Sequence, residues 1–470
     1  MPASTPQAVS ITMFDQWNGE AVGFTPRLDP LYANNPRPTV SPYDLPLATL
    51  STLTDAYIGG FKVTPSINGL NTDGESVKIA SSEARIAYKP SNHSLFITSQ
   101  AAGRDNDSII NISLPTDGNL TTDPLTFPEA NSILQGWTTV MNNGRLPTTP
   151  NTYDDLGGLF YNADEDALYG TMYQSYSGGS GVSDGFFKIV DASNIGTSVV
   201  QGAWQVTGHD QASNWISELP QEWKFELGVT HIHGNGAGMS NQQRYSRGPS
   251  AWLTDHSAID FSGSYNEILQ TKLMSFPYGQ FGDPGLGTAI YGDFTHTRSN
   301  YNEYNNAAND GSAYTYADEI VVANPANNIW TRMSSAGGGF IIPGTRSYCA
   351  IGQLTGGVSG GGYKVTFRYE YGTTTPLASE YTGGGPSSAD PDDHLPYYWL
   401  FDMVEMRDAT DKSAVLPYSF GQLPFALNLD ELPRSAICDP MTGRAFIACA
   451  EGAFGSGGNP IQVLQLQFAV

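Results

Sequence analysis

A chain of 470 residues carries 22 Lys and Arg against 46 Asp and Glu, a formal charge of −24 at pH 7. Phosphate binding needs a basic surface, so no nucleic-acid partner is expected, and an anionic membrane surface is disfavoured on the same ground. Only 14% of residues are charged; Gly, Ser, Thr, Asn and Tyr supply the polarity instead, which suits many short strands joined by tight turns.

The chain starts Met1-Pro2-Ala3-Ser4-Thr5-Pro6, with neither the basic stretch nor the apolar stretch of a signal peptide. No window of about twenty apolar residues follows, so no membrane insertion is expected. The setting that fits this composition is extracellular or virion; a phage particle released by lysis needs no leader. Residues 1–50 are rich in Pro, Asn and Thr without periodicity and read as an irregular N-terminal arm or docking segment. Residues 51–470 read as one domain. An orphan strand at 57–63 precedes a recurring unit of apolar strand, turn with Pro, Asp or Asn, and second strand. Copies pair 84–88 with 94–98, 158–161 with 167–172, 339–342 with 346–351, and 435–438 with 444–448. Third strands follow at 109–114, 186–190, 397–402 and 461–466, and fourth strands at 136–140 and 202–206. A further core at 249–253 opens the middle unit.

Four strands per unit make the blade of a propeller, so the fold class is all-β, a β-propeller. This count gives five blades; six or seven follow if insertions hide further sheets, and a sandwich with extra strands is the competing architecture. The last unit has three strands in sequence. Pairing 57–63 with 461–468 would close the ring and remove an open edge. Long loop insertions are expected near 207–247, 292–335 and 356–396. Cys349, Cys438 and Cys449 permit at most one disulfide and read better as buried free thiols.

The segments Leu219-Pro220-Gln221-Glu222-Trp223, Gly234-Asn235-Gly236 and Arg244-Tyr245-Ser246-Arg247-Gly248-Pro249-Ser250 resemble a largely uncharacterised group of propeller-like proteins. That group occurs among secreted bacterial proteins and predicted marine phage virion proteins. Asn92-His93-Ser94-Leu95-Phe96-Ile97, Leu156-Gly157-Gly158-Leu159, Pro343-Gly344-Thr345-Arg346 and Asp439-Pro440-Met441-Thr442-Gly443-Arg444 extend the resemblance over most of 57–470. It implies the fold and no established catalytic residues.

The segment 207–247 concentrates the candidate ligand-binding residues Glu222, Trp223, His231, His233, Tyr245 and Arg247, with Trp215 and Arg244 beside them. Aromatic faces pack on sugars, and Arg reaches hydroxyl or carboxylate groups. A clamp between blades is the competing role for Trp223. His231 and His233 share one face of a strand as a metal pair would, but no third ligand is near in sequence, so no metal site is expected. The carboxylates of 164–166 and 390–393 make calcium conceivable but weak, since their spacing matches no calcium loop and Asp is ordinary in turns. Gly357-Val358-Ser359-Gly360-Gly361 matches a nucleophile elbow without the helix that motif requires. Asn92, Asn106, Asn111 and Asn119 begin glycosylation sequons that chance supplies in so polar a chain.

The leading expectation is a non-enzymatic extracellular or virion-surface protein. It would recognise a cell-surface or environmental polysaccharide, or neighbouring virion proteins, through propeller-face loops, and it could form a homo-oligomer. The alternative is a secreted polysaccharide-degrading enzyme. A hydrolase would draw on Asp154, Asp155, Glu222 and Asp255, and a lyase on His231, His233, Tyr245 and Arg247.

Overall fold

A computed structural model describes residues 40–79, 84–101, 107–141, 146, 155–173, 185–207, 213–236, 248–261, 267–276, 330, 334–355, 361–362, 368–369, 376–377, 388–389, 394–423, 432–450 and 458–466. They form a five-bladed β-propeller. Blade I runs from its inner strand outward as Ile86–Lys89, Ser94–Ala101, Ser108–Ser113 and Ile133–Thr139. Blade II is Asp155–Asn162, Ala167–Tyr173, Gly185–Ile189 and Val200–Thr207. Blade III is Trp215–Glu218, His231–Gly234, Ala251–Thr254 and Thr271–Met274. Blade IV is Ser335–Ile341, Ser347–Thr355, His394–Asp402 and Ser419–Gln422. Blade V is Pro433–Asp439, Arg444–Cys449, Asn459–Gln465 and, from the other end of the chain, Tyr57–Val63.

The closure expected from the orphan strand is therefore present: Gly60 faces Gln462 and Val63 faces Asn459 in an antiparallel ladder. Each end of the chain thereby removes the other's open edge. The blades pack face to face, so their strands are buried on both sides. Such strands read as continuous apolar runs rather than alternating ones; every residue of Ser347–Thr355 is buried. Five apolar clusters fill the five spaces between blades. The space between IV and V holds all three cysteines as buried free thiols.

Near the axis the inner strands touch backbone to backbone. A Cβ on Gly158 of blade II would lie 2.4 Å from Trp215 Cα of blade III, and one on Gly338 of blade IV 2.1 Å from the Ala436 carbonyl of blade V. Only glycine tolerates that approach, which explains the Gly-Gly in both inner strands.

Blade III differs from the expectation. It opens at Trp215–Glu218, and the 249–253 core belongs to its third strand, Ala251–Thr254. The stretch 207–247, expected as a loop insertion, instead supplies the first two strands and the helix Gln221–Leu227. Two four-residue strands separated by a helix give too little alternation to be read locally. Within 356–396, the described pieces include two-residue ladders pairing Gly361–Gly362 with Ser388–Ala389 and Arg368–Tyr369 with Pro376–Leu377. Most of 292–335 lies outside the described residues.

Residues 1–39 of the expected arm also lie outside the described residues, whereas the segment after them docks before residue 50. The Ala48 amide donates to Ser347 Oγ at 2.7 Å, the Arg346 amide to the Pro46 carbonyl at 3.1 Å, and Arg346 Nη1 to the Tyr43 carbonyl at 3.0 Å. Ala48, Leu53 and Ala56 then cap the apolar cluster between blades IV and V.

Candidate functional site

The five inner strands contact one another in a ring and run the same way, so all begin at one end of it, the upper mouth, and end at the other. At the lower mouth the inner hairpin turns of blades I, II, IV and V are short, while blade III carries the helix Gln221–Leu227 there. Asp439 accepts from the Met441 amide at 3.1 Å and from Thr442 Oγ1 at 2.6 Å. Asp166 accepts from Lys89 Nζ at 2.7 Å and Tyr161 Oη at 2.9 Å, fastening blade II to blade I. Glu165 accepts from Lys188 and Tyr169. Asp166 thus clamps blade II to blade I while Glu165 ties strands within blade II, and among the described residues no group of three His, Cys, Asp or Glu could hold a metal ion.

Glu218 ends the inner strand of blade III and pairs with Lys224. Burial pushes its carboxyl above the usual range, Lys224 opposes that, and the charges of Asp439 and Asp164 add to it.

The upper mouth is built differently. Blade I begins there with Arg85, blade II with Asp155, blade III with Ser213 and Asn214, blade IV with Ser334, and blade V with Arg434. Arg85, Asp155, Asn214 and Ser334 are buried. The Gly158 amide donates to the Ser213 carbonyl at 2.7 Å, and Arg85 Nη1 donates to the Arg434 carbonyl, so these strand starts touch. The longer connections in the chain between strands that end and begin here span 141–154, 173–184, 236–248, 276–334 and 355–394, most of whose residues lie outside the described ones. In propellers and other scaffolds, binding residues gather where connections meet a rigid concave centre.

Of the six expected site residues, four lie among the described residues, and none of these four stands at the upper mouth. Trp223, on the helix that joins the first two strands of blade III, lies at the lower end. It is fully buried and donates from Nε1 to the Thr345 carbonyl of blade IV at 3.2 Å, with Tyr43 edge-on at 5.7 Å. Protein therefore covers its ring, and it clamps blades III and IV. Trp215 does the same through Nε1 to Tyr348 Oη at 2.9 Å. Glu222 is half-buried on the same helix. Of the hydrolase candidates, Asp155 stands at the upper mouth and Glu222 at the opposite end, while Asp255 caps a turn by accepting from the Ser257 amide at 3.1 Å. Asp154, Arg244, Tyr245 and Arg247 lie outside the described residues, as do 356–360 and 390–393.

His231 and His233 face blade II, not a mouth, and the structure joins them to His256, which sequence spacing missed. His233 Nε2 lies 2.8 Å from His256 Nε2, and His231 stacks on His256 at 3.6 Å between centroids. Phe160, Tyr169 and Phe186 surround them. Burial holds His231 and His256 far below the ordinary histidine value; the nearby Lys224 lowers both further. The cluster packs between blades II and III, with His231 and His256 held neutral. Asn111 is also buried, and its Nδ2 donates to Ser94 Oγ at 3.0 Å, so that sequon is not open to a glycan.

Sequence reasoning missed Arg85 and Arg434. The available signal was a guanidinium set inside or beside an apolar strand in a chain with few cations.

No protein-family model and no curated protein matches the chain. Among solved structures it resembles an exo-β-1,3-galactanase from Phanerochaete chrysosporium, with 8% identity and a TM-score of 0.37 over 87% of this chain and 65% of that one. The catalytic domain of a GH62 α-L-arabinofuranosidase from Coprinopsis cinerea gives 9% identity and a TM-score of 0.33, with 87% of this chain and 98% of that one covered. An exo-1,5-α-L-arabinanase from a bovine ruminal metagenomic library gives 9% and 0.35, with 82% and 94% covered. The chain spans 65% of the length of the first of these. The five-bladed assignment rests on the strand pairing itself.

Proposed function

We propose that the protein is carbohydrate-active and takes a glycan at the upper mouth of the axial channel. The observation that carries this reading is that a carboxylate, Asp155, and two arginines, Arg85 and Arg434, stand at the starts of three different inner strands, with the Arg85 guanidinium reaching the Arg434 carbonyl. Asn214 and Ser334 begin the other two. Sugars are recognised by such fixed planar polar groups, held in a concave centre and needing little reorganisation on binding. Cleavage of the glycan at the same mouth is the second reading. Asp155 favours it, as a buried carboxyl at the start of an inner strand, the residue type that glycan cleavage needs. The setting we propose is extracellular or on a virion surface, which the weakly charged, Gly- and Asn-rich composition supports.

An unbiased oligosaccharide array with a parallel reducing-end assay tests both readings. Asp155→Asn should lose at least tenfold in affinity for whichever glycan the wild type binds, at an unchanged melting temperature. Unchanged binding by that variant would overturn the placement. Release of reducing ends by the wild type, abolished in the variant, would select the enzyme.

A further inference from the structure

Arg85 is the group that an uncharged glycan leaves unexplained. Its backbone is fixed in both directions by the second strand of blade I: its amide donates to Thr98 Oγ1 at 2.9 Å, and its carbonyl accepts from the Thr98 amide at 3.0 Å. The side chain therefore leaves from a rigid strand. It reaches across to blade V, where Nη1 donates to the Arg434 carbonyl. That same carbonyl lies 2.3 Å from where a Cβ on Gly337 of blade IV would sit. The guanidinium thus extends along the starts of the inner strands, beside the axis.

Its surroundings leave its charge unanswered. Arg85 is 8% exposed, and its Nε is buried without a hydrogen-bond partner. Among the described residues no carboxylate pairs with it. By contrast Arg346 pairs with Asp402 at 3.2 Å, Arg407 with Asp408 at 2.6 Å and Arg444 with Asp117 at 2.7 Å. The chain carries 46 acidic residues, so a counter-ion was available from nearby sequence. A buried, unpaired cation destabilises the fold, because desolvation of the charge is not offset by a partner. A guanidinium left without a carboxylate, with its Nε donor unused, at that expense fits an anion supplied by the ligand. Guanidinium presents two parallel N–H donors that match a carboxylate.

We propose that Arg85 binds the carboxylate of an acidic saccharide, so that the glycan taken at this mouth carries a uronate residue. The inference rests on the glycan reading above and narrows it. The net charge of −24 opposes a densely charged chain, so the fit is to a glycan whose uronates are spaced among neutral sugars.

The test uses the full chain and matched pairs of glucuronate-, galacturonate- and mannuronate-bearing oligosaccharides, each with its carboxyl-reduced counterpart. Isothermal titration should show at least one acidic member binding at least tenfold more tightly than its reduced partner. Arg85→Met should abolish that preference while leaving the melting temperature of the free protein unchanged or higher, since it removes an uncompensated charge. Arg85→Lys keeps the charge without the two-donor edge and should retain only part of the preference. Equal binding of acidic and reduced forms would overturn the inference and leave the glycan reading standing. A marked fall in melting temperature in Arg85→Met would also overturn it, by showing a structural role. Binding of no saccharide of either kind, here and on the array, would overturn both.

Discussion

Acidification should loosen the seam between blades II and III through two histidines. His231 and His256 are buried and held neutral, primarily by desolvation. On unfolding each regains an ordinary pKa of about 6.5. Below that value the unfolded chain binds more protons than the folded one, so stability must fall as pH falls. Between pH 7 and pH 5 each histidine withdraws at most about 2 kcal/mol, about 4 kcal/mol for the two, the limit reached when the folded ring stays neutral throughout. That is a large fraction of the roughly 5–15 kcal/mol that holds a typical domain together. Glu218 works in the opposite sense: burial raises its pKa, so its protonation favours the folded state as pH falls toward the carboxylate range. The comparison must therefore be made between variants. Denaturant unfolding at pH 7, 6 and 5 should show the wild type losing about twice as much as His256→Phe, whose ring enters the nest of Tyr169, Phe186 and Phe261 without titrating. Parallel pH profiles for the two proteins would refute the assignment of the acid loss to this cluster.

Two further outcomes follow from the closure and the clamp. Deleting 459–470 removes the strand that pairs with both Tyr57–Val63 and Arg444–Cys449, so the truncated chain should show no cooperative unfolding transition by circular dichroism. Trp223→Ala removes a fully buried ring between blades III and IV and should cost about 3–5 kcal/mol in denaturant unfolding. Because Trp223 sits at the lower end, glycan affinity measured well below the melting temperature should stay within twofold of wild type.

Much of the propeller was legible in the residues because a blade is assembled from hairpins, and hairpins are local. Ile86–Lys89 with Ser94–Ala101, or Pro433–Asp439 with Arg444–Cys449, are separated by a turn of a few residues whose Pro, Asp and Gly mark it in the sequence. The closing strand was legible for a related reason: Tyr57–Val63 is too apolar to stand alone, and the last repeat lacks one strand. Blade III was not, since its first two strands are four residues each and are parted by the helix Gln221–Leu227.

The site belongs to tertiary structure. Trp223 and His233 look like ligand contacts in a polar stretch, yet blade packing turns them toward blades IV and II and buries them completely. Arg85 and the Arg434 carbonyl it holds are 349 positions apart. No local pattern relates them, because what brings them together is the closing of a ring whose inner strands all start at the same mouth. Apolar runs and turn residues determined that hairpins would form and stack as sheets; only the packing of those sheets about one axis decided which of the few cations would be left buried and, among the described residues, without a carboxylate partner.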